Sequence, residues 1–439
     1  MAFKSFFGRG RDEAPTPSIE EPDDVGAADD LDIVTEPEVA PQRTWQDRAE
    51  LVLPTGASTG SKRAAALYAE SAADDLPTHF ASAVGAMLTD ANGFQYYDCT
   101  MALGAVALGY AEPRVTQAVI EAAQQGNVAG LSNWREVEVA ERLCAMIPCA
   151  ERAQLLKSGA EAVSAAIRLA RAYTGREHII ACGYFGWHDW ASNAPGVPAS
   201  TKALVTRVPF DDIAALEAAV TNAGTALAAI VLEPVVERAP SQAWLERARA
   251  LCDASGSILV FDELKTGFRV APGGYQEVCR VTPDLAAFGK AMANGYPLAA
   301  VVGREAIMNA ARDSWISSTL ASESTALAAA LAVFDWHDEA DICATLADTG
   351  REMRAAVERG MAASGITGVS IHGLDQMWMM QWSDPLHESR FIAEAMREGV
   401  LFKRGAYNYS AIAHDESVIL EIERAASAAF VSLREDNQA

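Results

Sequence analysis

Five short runs of mostly apolar residues recur through the middle of the chain, at 178–182, 204–208, 228–232, 258–261 and 298–302, with helix-patterned stretches between most of them. A brief apolar run without alternation suits a strand buried on both faces. Strands alternating with helices build a mainly parallel sheet covered by helices on each side. The expectation for 101–319 is therefore a large α/β domain. A further short strand is expected at 153–156, and helices at 113–125, 136–146 and 161–173.

The flanks read differently. A helix at 45–53 leads into a loop, and Asp90-Ala-Asn-Gly93 joins two strand-like runs as a hairpin turn. Beyond 320, helices are expected at 324–335, 341–361, 388–397 and 416–433, with an antiparallel pair at 369–372 and 377–382. Segments 45–100 and 320–439 together predict a smaller α+β domain. Residues 12–40 hold 11 acidic side chains, no Lys or Arg, and four prolines. Such a stretch cannot bury enough apolar surface to offset chain entropy, so 1–44 is expected to be a disordered tail.

The net charge of −24 argues against binding nucleic acid or an anionic membrane, both of which need a basic face. No uncharged apolar stretch of ~18 residues is present to span a bilayer. The seven cysteines are scattered, with no C-x-x-C, which predicts reduced thiols in a cytoplasm; no metal site is expected.

Four segments carry candidate chemistry. Ser158, Gly159 and Ala160 lie between a strand and a helix, where free amides bind phosphate; an ordinary capped turn has the same look. Tyr184 follows a strand end within Gly183-Tyr-Phe-Gly-Trp-His-Asp-Trp190, and an aromatic there can stack on a flat ring or simply pack. Asp262 and Glu263 close a buried strand at the sheet edge where ligands bind in open α/β folds. Lys290 has no charged sequence neighbour from Leu285 to Gly295, and an apolar pocket turns a lysine into a nucleophile. In combination they supply a phosphate cradle, a stacking ring, a carboxylate for a ring nitrogen and an amine that captures an aldehyde.

The chain also resembles the class III aminotransferases, near their glutamate-1-semialdehyde aminomutase branch, from about residue 53 to the C-terminus. The motifs carrying the resemblance are Ser158-Gly-Ala-Glu-Ala162, Ala170-Arg-Ala-Tyr-Thr-Gly-Arg176, Glu233-Pro234, Asp262-Glu-Leu-Lys-Thr-Gly-Phe-Arg269 and Phe288-Gly-Lys290. It implies the type I pyridoxal-phosphate fold and pyridoxal 5'-phosphate (PLP) as cofactor. It further implies Lys290 as the Schiff-base lysine and proton shuttle, and Asp262 as partner of the pyridinium nitrogen. Ser158, Gly159 and Ala160 would hold the phosphate, and Tyr184 would cover the ring. Thr319 would reach the partner subunit's phosphate in a homodimer with a shared site.

Departures from the aminomutase pattern bear on substrate. Phe185 replaces a usual His, Leu103 stands near an expected Trp, and Glu237 and Arg238 follow Glu233-Pro234 where a short polar residue is common. Lys62 or Arg63 occupies the place of a carboxylate-gripping Arg, and Lys is the poorer bidentate partner. Lys62, Arg63, Trp187, His188 and Arg269 are candidates near the substrate. The expected activity is transfer of an amino group from an amine donor to a carbonyl acceptor; the alternative is an intramolecular aminomutase acting on a compound such as glutamate-1-semialdehyde.

Overall fold

The computed structural model describes residues 44–68 and 76–436; apart from Thr44, the acidic segment expected to be disordered lies outside them. The first described helix, Trp45–Val52, starts at Thr44, whose hydroxyl caps Asp47 in a reciprocal capping box. Three antiparallel strands follow: β1 (Phe80–Val84), β2 (Met87–Asp90) and β3 (Gln95–Asp98). The β2–β3 turn forms because Asp90 accepts the amides of Asn92 (2.7 Å) and Phe94 (2.9 Å) while Gly93 takes φ +93°.

The central sheet has seven strands. They are β4 (Arg152–Leu156), β5 (His178–Cys182), β6 (Val205–Arg207), β7 (Leu227–Leu232), β8 (Ile258–Asp262), β9 (Leu285–Phe288) and β10 (Ala299–Gly303). Their spatial order is β4-β10-β9-β8-β7-β5-β6. Pairs within β6-β5-β7-β8-β9 are parallel, whereas β10 runs antiparallel to both β9 and β4. The strand expected at 298–302 thus exists but reverses direction. A parallel return needs a crossover of a dozen residues or more, and residues 289–298 provide only the 3-10 turn Lys290–Ala293.

Both sheet faces are buried, as the apolar runs require. Ile179 and Ala181 face one core together with Val231, Val260, Val301 and the helix Gly159–Thr174; Ile180 and Cys182 face another with Ile230, Leu259, Phe261 and Trp244. The helix Ser324–Glu339 contributes Leu327, Val333 and Phe334 to the second core.

A third cluster gathers Tyr68, Cys99, Met353, Trp378, Phe391, Phe402 and Phe430 beneath the C-terminal helices Ile342–Ser364, Pro385–Arg397 and Glu416–Asp436. Here β11 (Val369–Leu374) pairs with β12 (Met377–Trp382) as expected. The two-residue strand β13 (Val400–Leu401) lies parallel to β3, so a sheet combines segments from both ends of the described chain, and β14 (Asn408–Tyr409) extends β12.

Candidate active site

The carboxyl ends of β5, β7, β8 and β9 converge on one place. Lys290 stands two residues beyond β9, in a left-handed conformation (φ +50°) that a non-glycine residue adopts at a cost of roughly 1–3 kcal/mol. Asn294, also left-handed, anchors this turn: its Oδ1 accepts the amides of Ala107 and Leu108, each at 3.0 Å, and its Nδ2 donates to the Gly109 carbonyl (3.0 Å).

Asp262 is the last residue of β8 and is buried; one of its oxygens accepts the Leu264 amide at 3.0 Å. Burial, and after it the charge of Glu233, raises the Asp262 pKa. The Lys290 pKa is lowered, first by desolvation of its amine and then by the ammonium of Lys265, while Asp262 and Glu233 act in the opposite sense. The sequence neighbours of Lys290 are apolar, but its spatial neighbours are charged.

Glu233, directly after β7, joins the parts. Its Oε1 pairs with Lys265 Nζ at 2.9 Å and its Oε2 accepts the Tyr184 amide at 2.9 Å. Gly183 (φ +128°) permits that approach, since a Cβ there would lie 2.7 Å from Glu233 Cγ. Gly186 (φ +88°) packs against Ala160, so the Tyr184 turn sits against the first turn of the helix Gly159–Thr174. At that helix start Ser158 and Glu161 form a capping box, leaving the Gly159 and Ala160 amides in the turn that lacks intrahelical acceptors. Leu264 fills the space between Gly159 and Gly289; a Cβ on Gly159 would fall 2.4 Å from it.

Tyr184 presents its ring outward, 74% exposed. Phe185 is buried instead, 5.6 Å from the Trp190 ring, which explains an apolar residue at a position where the family commonly has His. Thr319 is exposed in a loop with Leu320.

The substrate candidates scatter. Arg269 is fully buried, donating to the carbonyls of Ser410 (2.7 Å), Gly104 (3.1 Å) and Val106 (3.2 Å) and lying over the Tyr409 ring. Its donors hold backbone, including the turn Met101–Gly104 in which three non-glycine residues are left-handed, so it is not open to a substrate. His188 is tied through Nδ1 to Ser164 Oγ (2.7 Å), and Trp187 packs edge-on against it while 76% exposed. Arg63 and Lys62 are exposed on the turn around Gly60–Lys62. Lys62 lines a cavity of about 220 Å³ with Tyr68, Asp98, Leu103 and Lys403, and neither Lys290 nor Asp262 borders it.

Sequence reasoning missed the Glu233–Lys265 pair, the Asn294 bridge and the Gly186–Ala160 packing. The one available signal was a lysine, Lys265, inside the motif Asp262-Glu-Leu-Lys-Thr-Gly-Phe-Arg269.

The arrangement suits PLP: a desolvated amine beside a buried carboxylate, with a helix start for phosphate at the same sheet edge. Such a site belongs to enzymes that perform amine–carbonyl chemistry on a bound aldehyde cofactor. Residues 68–413 match the family described as aminotransferase class-III, and the chain belongs to that family. It is 34% identical over 301 residues to a 3-aminobutyryl-CoA aminotransferase of Cloacimonas acidaminovorans, covering 66% of this chain and 73% of the relative. It is 31% identical over 399 residues to a glutamate-1-semialdehyde 2,1-aminomutase of Polynucleobacter necessarius, covering 82% and 92%. Among solved structures it is similar to the PLP internal aldimine form of the Sphingopyxis sp. MTA144 FumI protein, with TM-score 0.85, 27% identity, and 90% and 97% of the two chains covered. An omega-transaminase from Sphaerobacter thermophilus aligns with TM-score 0.80 at 25% identity over 89% and 97%. The fold is the type I PLP fold, the cofactor is PLP, and the protein is an enzyme of the class III aminotransferase kind.

Proposed function

We propose that the chain moves an amino group from a small amine donor to a separate carbonyl acceptor, with Lys290 as the catalytic residue. The observation that carries this reading is the desolvated Lys290 amine just beyond β9, beside the buried Asp262 at the end of β8. PLP, when bound, supplies an aldehyde that condenses with amines and a ring that withdraws electrons.

The chain's own residues have separable tasks. Lys290 Nζ, whose proton is made easier to lose by burial and neighbouring cations, would be the nucleophile and would carry a proton to and from the reacting carbon. Asp262 would pair with the ring nitrogen and favour its protonated state. Ser158, Gly159 and Ala160 would hold the phosphate at the helix start, and the exposed Tyr184 ring would cover the cofactor. Leu264 and the apolar strand ends exclude water beneath the site.

A second reading, an intramolecular aminomutase, is favoured by the alignment over 92% of the Polynucleobacter enzyme. Lys62 lines a cavity that neither Lys290 nor Asp262 borders, which supports the transferase. A half-reaction separates them. Amino donors added singly to PLP-loaded protein should convert the cofactor to its amine form and release stoichiometric carbonyl product. The transferase reading fails if no donor does so while glutamate-1-semialdehyde alone is turned over.

A homodimer with Thr319 lent to the partner's phosphate is part of the proposal. Leu131 (86% exposed), Trp315 (90% exposed) and Leu320 support it as unpaired apolar surface near that loop. A cytoplasmic setting rests on the seven free cysteines. A division into a large domain at 101–319 and a small one from 45–100 and 320–439 belongs to the same proposal.

A further inference from the structure

Lys265 is the group at the site that amine transfer does not by itself require. It follows Leu264 in the loop after β8, and its ammonium is held on two sides: Glu233 Oε1 at 2.9 Å, and the face of the Tyr407 ring with its centroid at 4.6 Å. Both the ammonium and the carboxylate are largely buried, at 14% and 8% side-chain exposure. A buried pair contributes little net stability against apolar replacements, so its presence calls for another role.

Two connections indicate that role. Through Glu233 the pair holds the Tyr184 amide, and with it the turn packed against Ala160. Across the site, Lys265 and Arg269 are the cations acting on Lys290, and Asp262 and Glu233 are the carboxylates. The groups acting on Lys265 itself are Glu233, Tyr407 and Tyr409. A cation beside a lysine favours its neutral amine, a known route to an activated nucleophile.

We propose that Lys265 is a positioning residue with two actions: it locks Glu233, and through it the Tyr184 turn, and it places a second positive charge beside Lys290 that favours the nucleophilic amine. This inference rests on the reading of Lys290 as the cofactor lysine. Burial opposes the charge on Lys265, but Glu233 more than compensates and its pKa is raised, so it stays cationic while that of Lys290 is lowered.

The test follows PLP capture by the cofactor-free full-length protein, read as the rate of appearance of visible absorbance across pH. In the wild type the midpoint should lie below the ~10.4 of an ordinary lysine. Lys265→Arg keeps the charge and should keep the midpoint. Lys265→Met should raise it, slowing capture at pH 7 about tenfold for each unit of increase. Glu233→Gln should shift it in the opposite direction, because that change removes a negative charge. A purely structural pair would move the two single variants alike.

Should Lys265→Met fold poorly, with Glu233 left buried and unpaired, the double variant Lys265→Met/Glu233→Gln should show a midpoint above that of Glu233→Gln, since those two proteins differ only in the Lys265 charge. An unchanged midpoint in folded Lys265→Met, or a double variant whose midpoint equals that of Glu233→Gln, overturns the proposal. Lys290→Ala serves as the control: if it captures PLP with the wild-type absorbance and rate, the reading of Lys290 itself has failed, whatever Lys265 does.

Discussion

Gly186→Ala tests whether the phosphate turn and the ring-covering turn are built as one unit. Gly186 sits at φ +88°, and an added Cβ would lie 2.6 Å from Ala160 Cβ and 3.3 Å from Ala160 Cα. Neither atom is the end of a flexible side chain, so the turns must separate. Left-handed backbone costs an alanine about 1–2 kcal/mol, and a forced overlap in a packed region adds about 1–3 kcal/mol. The variant should therefore be destabilised locally by about 2–5 kcal/mol. PLP should also bind more weakly, about tenfold for each 1.4 kcal/mol by which the phosphate turn is weakened.

The second substitution isolates the overlap. Ala160→Gly removes the opposing methyl group and costs at most about 1 kcal/mol as glycine in a helix. The double variant should regain about 1–2 kcal/mol over Gly186→Ala, because the clash disappears while the backbone cost remains. Guanidinium unfolding of the cofactor-free protein and PLP titration by absorbance give the two readouts. If Gly186→Ala unfolds like the wild type, the close approach is wrong. If Ala160→Gly brings no recovery, the overlap is not the cause and the two turns are independent.

Three further outcomes are expected. Lys290→Ala should keep its fold and some PLP affinity through Ser158 to Ala160 but lose turnover, and normal turnover in a donor–acceptor assay would remove the basis for its role. Arg269→Lys should lower stability by about 2–4 kcal/mol by leaving buried carbonyls without donors, with KM for amine and carbonyl substrates little changed; a selective rise in KM would return Arg269 to the substrate site. Burial pushes the His414 pKa down to about 4, and its Nδ1 accepts the Ala411 amide (2.9 Å) while its Nε2 bonds the Asp98 carbonyl (3.0 Å), an arrangement that needs the neutral ring. With a folded pKa below the unfolded ~6.5, its contribution is complete above pH ~6.5 and is lost as pH falls towards 4. His414→Gln should flatten the fall in Tm across that window.

The sheet was legible because burial on both faces leaves strands no choice but apolar side chains, as in Leu227–Leu232, where every residue is buried. Direction was not legible for β10, since an apolar run looks the same in either orientation and only the length of 289–298 decides it. Arg269 illustrates a different limit. A charged residue in a site motif suggests a ligand, yet its guanidinium satisfies the carbonyls of a left-handed turn about 165 residues earlier in sequence. Nothing local to Arg269 reveals the conformation of Met101–Gly104. The packing of Gly186 on Ala160 was hidden for the same reason, because the two residues belong to different motifs.

The same logic explains why the active groups lie where they do. A strand buried on both faces tolerates charge only where it ends, so Glu233, Asp262 and Lys290 each appear at or just beyond an apolar run. In sequence they are three unrelated motifs. In the sheet β7, β8 and β9 are neighbours, paired Leu232 to Phe261 and Asp262 to Ala287, so the three ends fall in register. With adjacent strands about 4.8 Å apart, the row spans roughly 10 Å. That width brings an acid, an acid and an amine within mutual electrostatic range on a low-dielectric floor. Two adjacent buried carboxylates would repel, and Lys265 is the neutralising charge that lets Glu233 stay beside Asp262. Reversal of β10 then closes the row, since the chain must turn back immediately after Lys290 and its left-handed turn is pinned by Asn294. Parallel pairing sets the row, the antiparallel return fixes the lysine within it, and the chemistry of the site follows from both.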